Sequence, residues 1–333
     1  MTEARVGSIV LFDMFTGELP RAVLETLVYS DIFEYPLRLE EVHRYLPLRA
    51  GMEQVSQALQ SMNGQVGEKD GFYFLAGREE IVDIRKRREA HSQKLLPIAL
   101  RYGRILGSLP FVRMVALTGS LAVMNISKNV DFDYLIVAVP GRVWTARAFA
   151  LLFNRMTRLF GHTLCPNLIV AETKLDWPLH DLYSARELFQ MLPVTGKDVY
   201  QKLMQANEWA REYLPNGSHD FSREIKATAP VLTDGVRKVA TTIKLLLEFP
   251  LRSKLGDRFE QWEMTRKIAR FSKQAGFGEE TIFTAEVCQG NFHHHRKWTR
   301  EAFEQKLVAL AAVPGGDPII MQSPRTAIGV HKE

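Results

Sequence analysis

Cysteine is almost missing from this chain. Its 333 residues include two, Cys165 and Cys288, far apart and outside any C-x-x-C spacing. That excludes a small disulfide scaffold and fits a reducing compartment. Long hydrophobic runs are missing too. No stretch approaches the roughly 18 uncharged apolar residues of a membrane-spanning helix, and runs such as Tyr134–Pro140 suit a buried strand. The first residues carry Glu3, Arg5 and Asp13 around a short apolar patch with no small-residue cleavage pattern. No secretory signal is expected, and the reading is a cytoplasmic protein without membrane contact. There is no internal repeat and no low-complexity segment. What is present is 46% apolar and 24% charged residues, the balance of a globular protein rather than a disordered or collagen-like chain. The length suggests two or three domains, each burying its own core.

Charge is unevenly placed. The net of +5 combines three different segments. Residues 1–80 carry 7 Lys/Arg against 13 Asp/Glu, residues 81–180 carry 14 against 6, and residues 181–333 carry 22 against 19. A polyanion footprint is therefore expected in the middle third.

The N-terminal segment reads as three helices and a hairpin. Apolar residues recur at helical spacing in Arg21–Phe33, a second helix covers Leu39–Tyr45, and a third runs from Gly51 to about Met62. The Lys69–Asp70–Gly71 turn then leads into an aromatic strand, Phe72–Leu75. This is the outline of a winged helix-turn-helix. A basic helical segment follows over 84–104, where Pro97 is expected to kink or divide it. Strand Val112–Leu117, the Gly119–Ser120 turn, a short helix Leu121–Asn125, strand Val130–Val139, a helix over 142–160 and strand Leu164–Glu172 make a mixed α/β region. From Leu182 the pattern is almost entirely helical, with breaks at Pro193, Pro215, Pro230, Pro250 and Gly276–Gly278. The last twenty residues read as a tail. The expected division is 1–80 winged-helix-like, 81–180 α/β core, 181–312 helical and 313–333 tail.

Chemistry concentrates in Leu117–Thr118–Gly119–Ser120 and, ten residues on, Asp131–Phe132–Asp133–Tyr134. Residues i and i+2 of a strand share a face, so both carboxylates project together while Phe132 and Tyr134 point away. Two carboxylates opening an apolar strand form a hard-oxygen site for Mg²⁺, which completes its shell with water and substrate phosphate. At Gly119–Ser120 glycine permits close approach, and free N–H groups with a hydroxyl can hold phosphate oxygens. Together these describe transfer from a nucleoside triphosphate.

This pattern resembles the DNA polymerase β-like nucleotidyltransferase superfamily, in which Gly-Ser is followed at this spacing by a D-x-D strand. The resemblance spans residues 112–172, with one departure: Thr118 precedes the glycine and the apolar Leu117 stands a place earlier. The segments Tyr29–Pro36, Gly71–Leu75 and Cys165–Pro166–Asn167 are also similar to bacterial nucleotidyltransferase-domain proteins with an N-terminal winged-helix-like region. The resemblance implies an α/β (mixed α+β) protein with a polymerase β-like core, an N-terminal winged-helix-like domain and a C-terminal helical domain. It implies that Asp131 and Asp133 hold two Mg²⁺ ions. A nucleoside monophosphate would pass from an NTP to an unidentified hydroxyl-type acceptor (small molecule, RNA or protein), releasing pyrophosphate. The superfamily usually supplies a third carboxylate from a later strand; Glu172 is the candidate here and Asp176 the fallback. Asn167 is the alternative occupant, which favours a nucleotide-binding pseudoenzyme.

Other features read more plainly. The basic segment 84–104 is a solvated face before it is a phosphate contact. Consecutive His293–His294–His295 diverge and lack a carboxylate at ligand spacing. Cys165 reads as a strand thiol. Arg142, Arg147, Arg155 and Arg158 would add positive field near a triphosphate. Sequence-specific DNA binding is not expected: Met52–Met62 offers Gln54, Gln57 and Gln60, no Lys or Arg, and Glu53. The winged-helix-like segment is a structural or partner-binding, regulatory element.

Overall fold

A computed structural model describes residues 17–127, 131–217, 234–278 and 280–311. Helices α1 (Glu18–Asp31), α2 (Leu39–Arg44) and α3 (Met52–Ser61) open the described chain, followed by the hairpin β1 (Val66–Lys69) and β2 (Phe72–Leu75). Val23, Leu24, Leu27 and Val28 form the buried stripe of α1, as their helical spacing requires. The hairpin turns on Asp70 (φ 56°) and Gly71 (φ 76°); two left-handed residues match the twist of the paired strands. Leu37 exchanges backbone hydrogen bonds with Tyr73 and ties the α1–α2 connection to β2.

Helix α4 (Glu80–Ser108) is one 29-residue element, about 43 Å long at 1.5 Å per residue. Pro97 lies inside it and does not divide it. There follow β3 (Val112–Thr118), α5 (Gly119–Ala122), β4 (Asp131–Ala138), α6 (Val143–Arg158) and β5 (Thr163–Ala171). The remainder comprises α7 (Leu182–Gln190), β6 (Leu192–Thr195), α8 (Lys197–Ala206), α9 (Ala210–Tyr213), α10 (Asp234–Leu251), α11 (Lys254–Phe271), β7 (Thr281–Phe283), β8 (Val287–Gly290) and α12 (His295–Ala311).

The sheet runs β6-β3-β4-β5-β8-β7, with β4 and β5 parallel and every other pair antiparallel. The protein is therefore mixed α/β. The almost entirely helical reading of 181–312 needs correction, because β6, β7 and β8 from that stretch complete the central sheet. They are three or four residues long, too short to show a period, and Pro193 is tolerated because β6 is an edge strand. The tail expected over 313–333 and the break at Pro230 lie outside the described residues.

Helices cover both faces of the sheet. On one, Met114, Ala116, Leu135 and Val137 pack in a core continuous with Val23, Leu27, Val42 and Leu59 of the N-terminal helices and with Leu188 and Leu203 of α7 and α8. On the other, Val115, Leu117, Phe132, Tyr134 and Ile136 pack with Ala99, Leu106, Trp144, Ala150 and Phe271 from α4, α6 and α11. The first core crosses both borders expected near residues 80 and 180, and the second crosses the one near 180. Asp31 at the end of α1, buried, accepts from Arg78 Nε at 2.9 Å and Lys306 Nζ at 2.6 Å, which fixes the first described helix to the last.

Candidate active site

Strand β4 alternates as its sequence demands. Phe132, Tyr134 and Ile136 enter one core, Leu135 and Val137 the other, so Asp131 and Asp133 belong to the face that carries α7. Asp131 is exposed and Asp133 half-buried. Antiparallel pairing sets Thr118 opposite Asp133, which brings the turn after β3 onto that carboxylate. Gly119 has φ +65°, and a Cβ there would lie 2.3 Å from Asp133 Oδ2. Glycine is required twice over: for the left-handed backbone and for the close approach of main chain to carboxylate. Ser120 is exposed at the same turn. The structure thus brings Gly119, Ser120, Asp131 and Asp133 together.

It does not bring Glu172. Beta strands 4 and 5 are parallel, with Asp131 beside Thr163 at one end and Ala138 beside Ala171 at the other. Glu172 donates its N–H to Ala138 O at 2.9 Å and so sits at the far end, about 16 Å along the strand from Asp133 at 3.3 Å per residue. Its carboxylate pairs with Lys202 at 3.0 Å and Arg113 at 4.0 Å. Asp176, four residues further on, is exposed and faces His180 at 3.5 Å. Neither acid joins Asp131 and Asp133.

Asn167 takes the place beside them. Between Asp133 and Leu135 the β4–β5 register slips, one residue of β4 facing two of β5. That irregularity, next to Pro166, lets Asn167 Nδ2 donate to Asp133 Oδ1 at 2.7 Å, while the Cys165 thiol donates to Asn167 Oδ1 at 2.8 Å. Burial pushes Asp133 up to about 7, helped by the neighbouring Asp131 charge and opposed by the Asn167 hydrogen bond. Burial, then Asp133 and Asp131, lift the Cys165 thiol to about 12, so it is not an available nucleophile at neutral pH.

Another acid, on an element that sequence reasoning did not connect to the site, feels the charge of Asp133 without joining the aspartate pair in metal-holding geometry. Glu187 on α7 is pushed up to about 7, by burial first and by Asp133 second. Tyr183, one turn earlier, is raised well above its ordinary value by burial and by a set of anions that includes Glu187 and Asp133. Both shifts place this helix face within electrostatic reach of Asp133. The spacing of Tyr183 and Glu187 marks one helix face, but nothing in the sequence says which strand that face meets.

Asp131 and Asp133 make an all-oxygen donor pair, and among the described residues no cation pairs with Asp133. That chemistry fits Mg²⁺. Among the described residues no group of three or more His, Cys, Asp or Glu is assembled in metal-holding geometry; His293 and His295 stand with ring centroids 5.8 Å apart.

The expected arginines separate. Arg142 donates to Leu251 O and to Asp257 at 2.7 Å, a structural tie. Arg147 lies over Phe271 at 5.0 Å, and Arg147 with Arg158 partly offsets the rise of the Cys165 thiol. Comparison with protein-family models, with curated proteins and with solved structures finds no match for the chain.

Proposed function

We propose that the protein is a Mg²⁺-dependent nucleotidyltransferase with a polymerase β-like core, an N-terminal winged-helix-like element and helices completing the C-terminal part. It would transfer a nucleoside monophosphate from an NTP to a hydroxyl-type acceptor and release pyrophosphate. The observation that carries this reading is the contact between the Gly119 turn and Asp133, with Asp131 two residues earlier on the same strand face. A phosphate cradle and metal-binding carboxylates are needed side by side, and this turn offers both.

Asp131 and Asp133 would hold Mg²⁺, which when bound supplies charge neutralisation at the triphosphate and a lowered pKa for the acceptor hydroxyl. The Gly119–Ser120 backbone N–H groups and the Ser120 hydroxyl would bind and orient phosphate oxygens. A second reading, a nucleotide-binding protein without catalysis, is favoured by one observation: an amide, Asn167, bonds Asp133 where the resemblance implies a carboxylate.

Titration calorimetry with ATP, GTP, CTP and UTP, with and without Mg²⁺, tests the site on wild type and on Asp131→Ala/Asp133→Ala. Metal-dependent binding that survives the double substitution would remove the proposed site. Incubation of labelled NTPs with protein and cell extract then separates the readings: label entering RNA, protein or a small molecule establishes transfer, and binding without label transfer establishes the non-catalytic alternative.

A further inference from the structure

Over residues 242–249 helix α10 is inside out. Its inward stripe is polar: Lys244 Nζ donates to Gly107 O at 3.3 Å and Val112 O at 2.7 Å, and Glu248 accepts from Phe111 N at 2.8 Å. Its outward stripe is apolar, with Ile243 52% exposed, Leu246 68% and Phe249 80%. A helix on a globular protein ordinarily does the reverse. Helix α11, joined to α10 by Arg252–Ser253, packs Phe271, Met264 and Ile268 inward beside buried Glu260 and Glu263 and also leaves large apolar side chains outside. Leu255 (68% exposed) and Trp262 (55%) lie on its outer side, seven residues apart and so on one face, with exposed Arg258 between them.

The charges on this face are equally one-sided. Every acid of 242–271 is withdrawn or neutralised. Glu248, Glu260 and Glu263 are buried. Glu260 caps α6 by accepting from Trp144 N and Thr145 N, Glu263 pairs with Arg266, and Asp257 pairs with Arg142. The exposed polar groups on α11 include Lys254, Arg258, Arg266 and Arg270. The C-terminal turn of α6, on the same side of the sheet, adds exposed Leu159 and Phe160 beside Arg155 and Arg158.

Exposed aliphatic and aromatic side chains among cations, with three acids buried and Asp257 paired with Arg142, match what an anionic lipid surface recognises. Apolar groups enter the acyl boundary and the cations meet headgroup phosphates. A second copy on this face would set a cationic, acid-poor surface against itself. We propose that the α10–α11 face docks on anionic phospholipid bilayers, departing from the expectation of no membrane contact. Attachment is in the plane of the interface, since among the described residues no helix is long and apolar enough to cross a membrane.

Flotation of the full chain with vesicles of phosphatidylcholine alone, or mixed with phosphatidylglycerol, tests the proposal. Binding to mixed vesicles is expected to exceed binding to neutral ones by about tenfold or more and to weaken with added salt. Leu246→Ser/Phe249→Ser should lower binding by at least roughly tenfold through lost apolar burial, and Lys254→Glu/Arg258→Glu should do likewise. All four positions are exposed, and thermal melts of both variants check that the fold is kept. Equal binding to neutral and mixed vesicles, no binding to either, or unchanged binding by the Leu246/Phe249 variant would overturn it. So would a dimer in light scattering that this variant dissolves, which would assign the face to a second copy.

Discussion

Asp133 has the Gly119 main chain against it and a second carboxylate, Asp131, beside it, and its charge is felt by buried Glu187. Among the described residues the Asn167 amide is the side chain that donates to it. The consequence is a pH dependence whose sign follows from the shifts. Asp133 and Glu187 are both raised to about 7, from 3.8 and 4.5, so the folded protein retains protons that the unfolded chain releases. The two titrate as a coupled set. Metal-free stability therefore falls as pH rises from about 4 towards 7 and stays low above that window. Glu187→Gln removes one of the charges. In chelator-treated protein it is expected to leave stability near pH 4 almost unchanged and to raise it at pH 8 by about 1–2 kcal/mol, a few degrees in Tm. Melts of both proteins across that range check this; curves that run parallel from pH 4 to pH 8 would show that Glu187 is not part of the acid cluster.

At the scale of elements, the residue pattern made some features legible and hid others for physical reasons. Period-two alternation in β4 identifies the shared face of Asp131 and Asp133 without a structure. Glu172 was misplaced although a usable signal existed. A helix between β4 and β5 is the connection that parallel neighbours require, and parallel pairing carries the end of β5 away from the start of β4. Glu187 and Asn167 depend on a helix-to-sheet docking and on a one-residue slip in register, and single-chain periodicity contains neither. Elements also meet through buried charge. Asp31 binds both Arg78 and Lys306, all three nearly inaccessible, and so joins α1, the β2–α4 connection and α12. Replacing one member of such a set removes a buried countercharge from the others. Asp31→Ala is expected to destabilise the protein by about 3–5 kcal/mol, measured by chemical denaturation. A change below about 1 kcal/mol would mean that the triad contributes nothing to holding the helices together.

For the whole molecule, the charge imbalance along the sequence acquires a different meaning from the polyanion footprint it suggested. Three acids and one arginine of the N-terminal segment pair with the start of α4. Arg85 pairs with Glu41 at 2.9 Å and stacks over Tyr35, Arg88 pairs with Glu34, Lys86 with Asp70, and Arg38 with Glu89 at 3.2 Å. Of these cations Arg85 is buried and Arg88 half-buried, so they join the N-terminal helices to α4 and are not presented to solvent as a free basic face. The apolar interior follows the same plan. One core runs from α1 through the sheet to α7 and α8, and strands from the C-terminal stretch complete a sheet begun by the middle one. Three independent domains would each unfold when their own core fails, giving separate thermal or denaturant transitions. Shared cores and cross-segment ion pairs instead couple the segments, because exposing one side of an interface removes the partner surface of the other. The described residues are therefore expected to unfold in a single transition in metal-free buffer, with near- and far-ultraviolet circular dichroism coincident and calorimetric and van't Hoff enthalpies equal. Added salt should lower the midpoint, as screening weakens the more exposed pairs between the N-terminal helices and α4. A resolved early transition, with far-ultraviolet signal lost before the near-ultraviolet signal of Trp144, Trp177 and Trp209, would show that the N-terminal helices form a separable unit and that the sequence border near residue 80 is a true boundary.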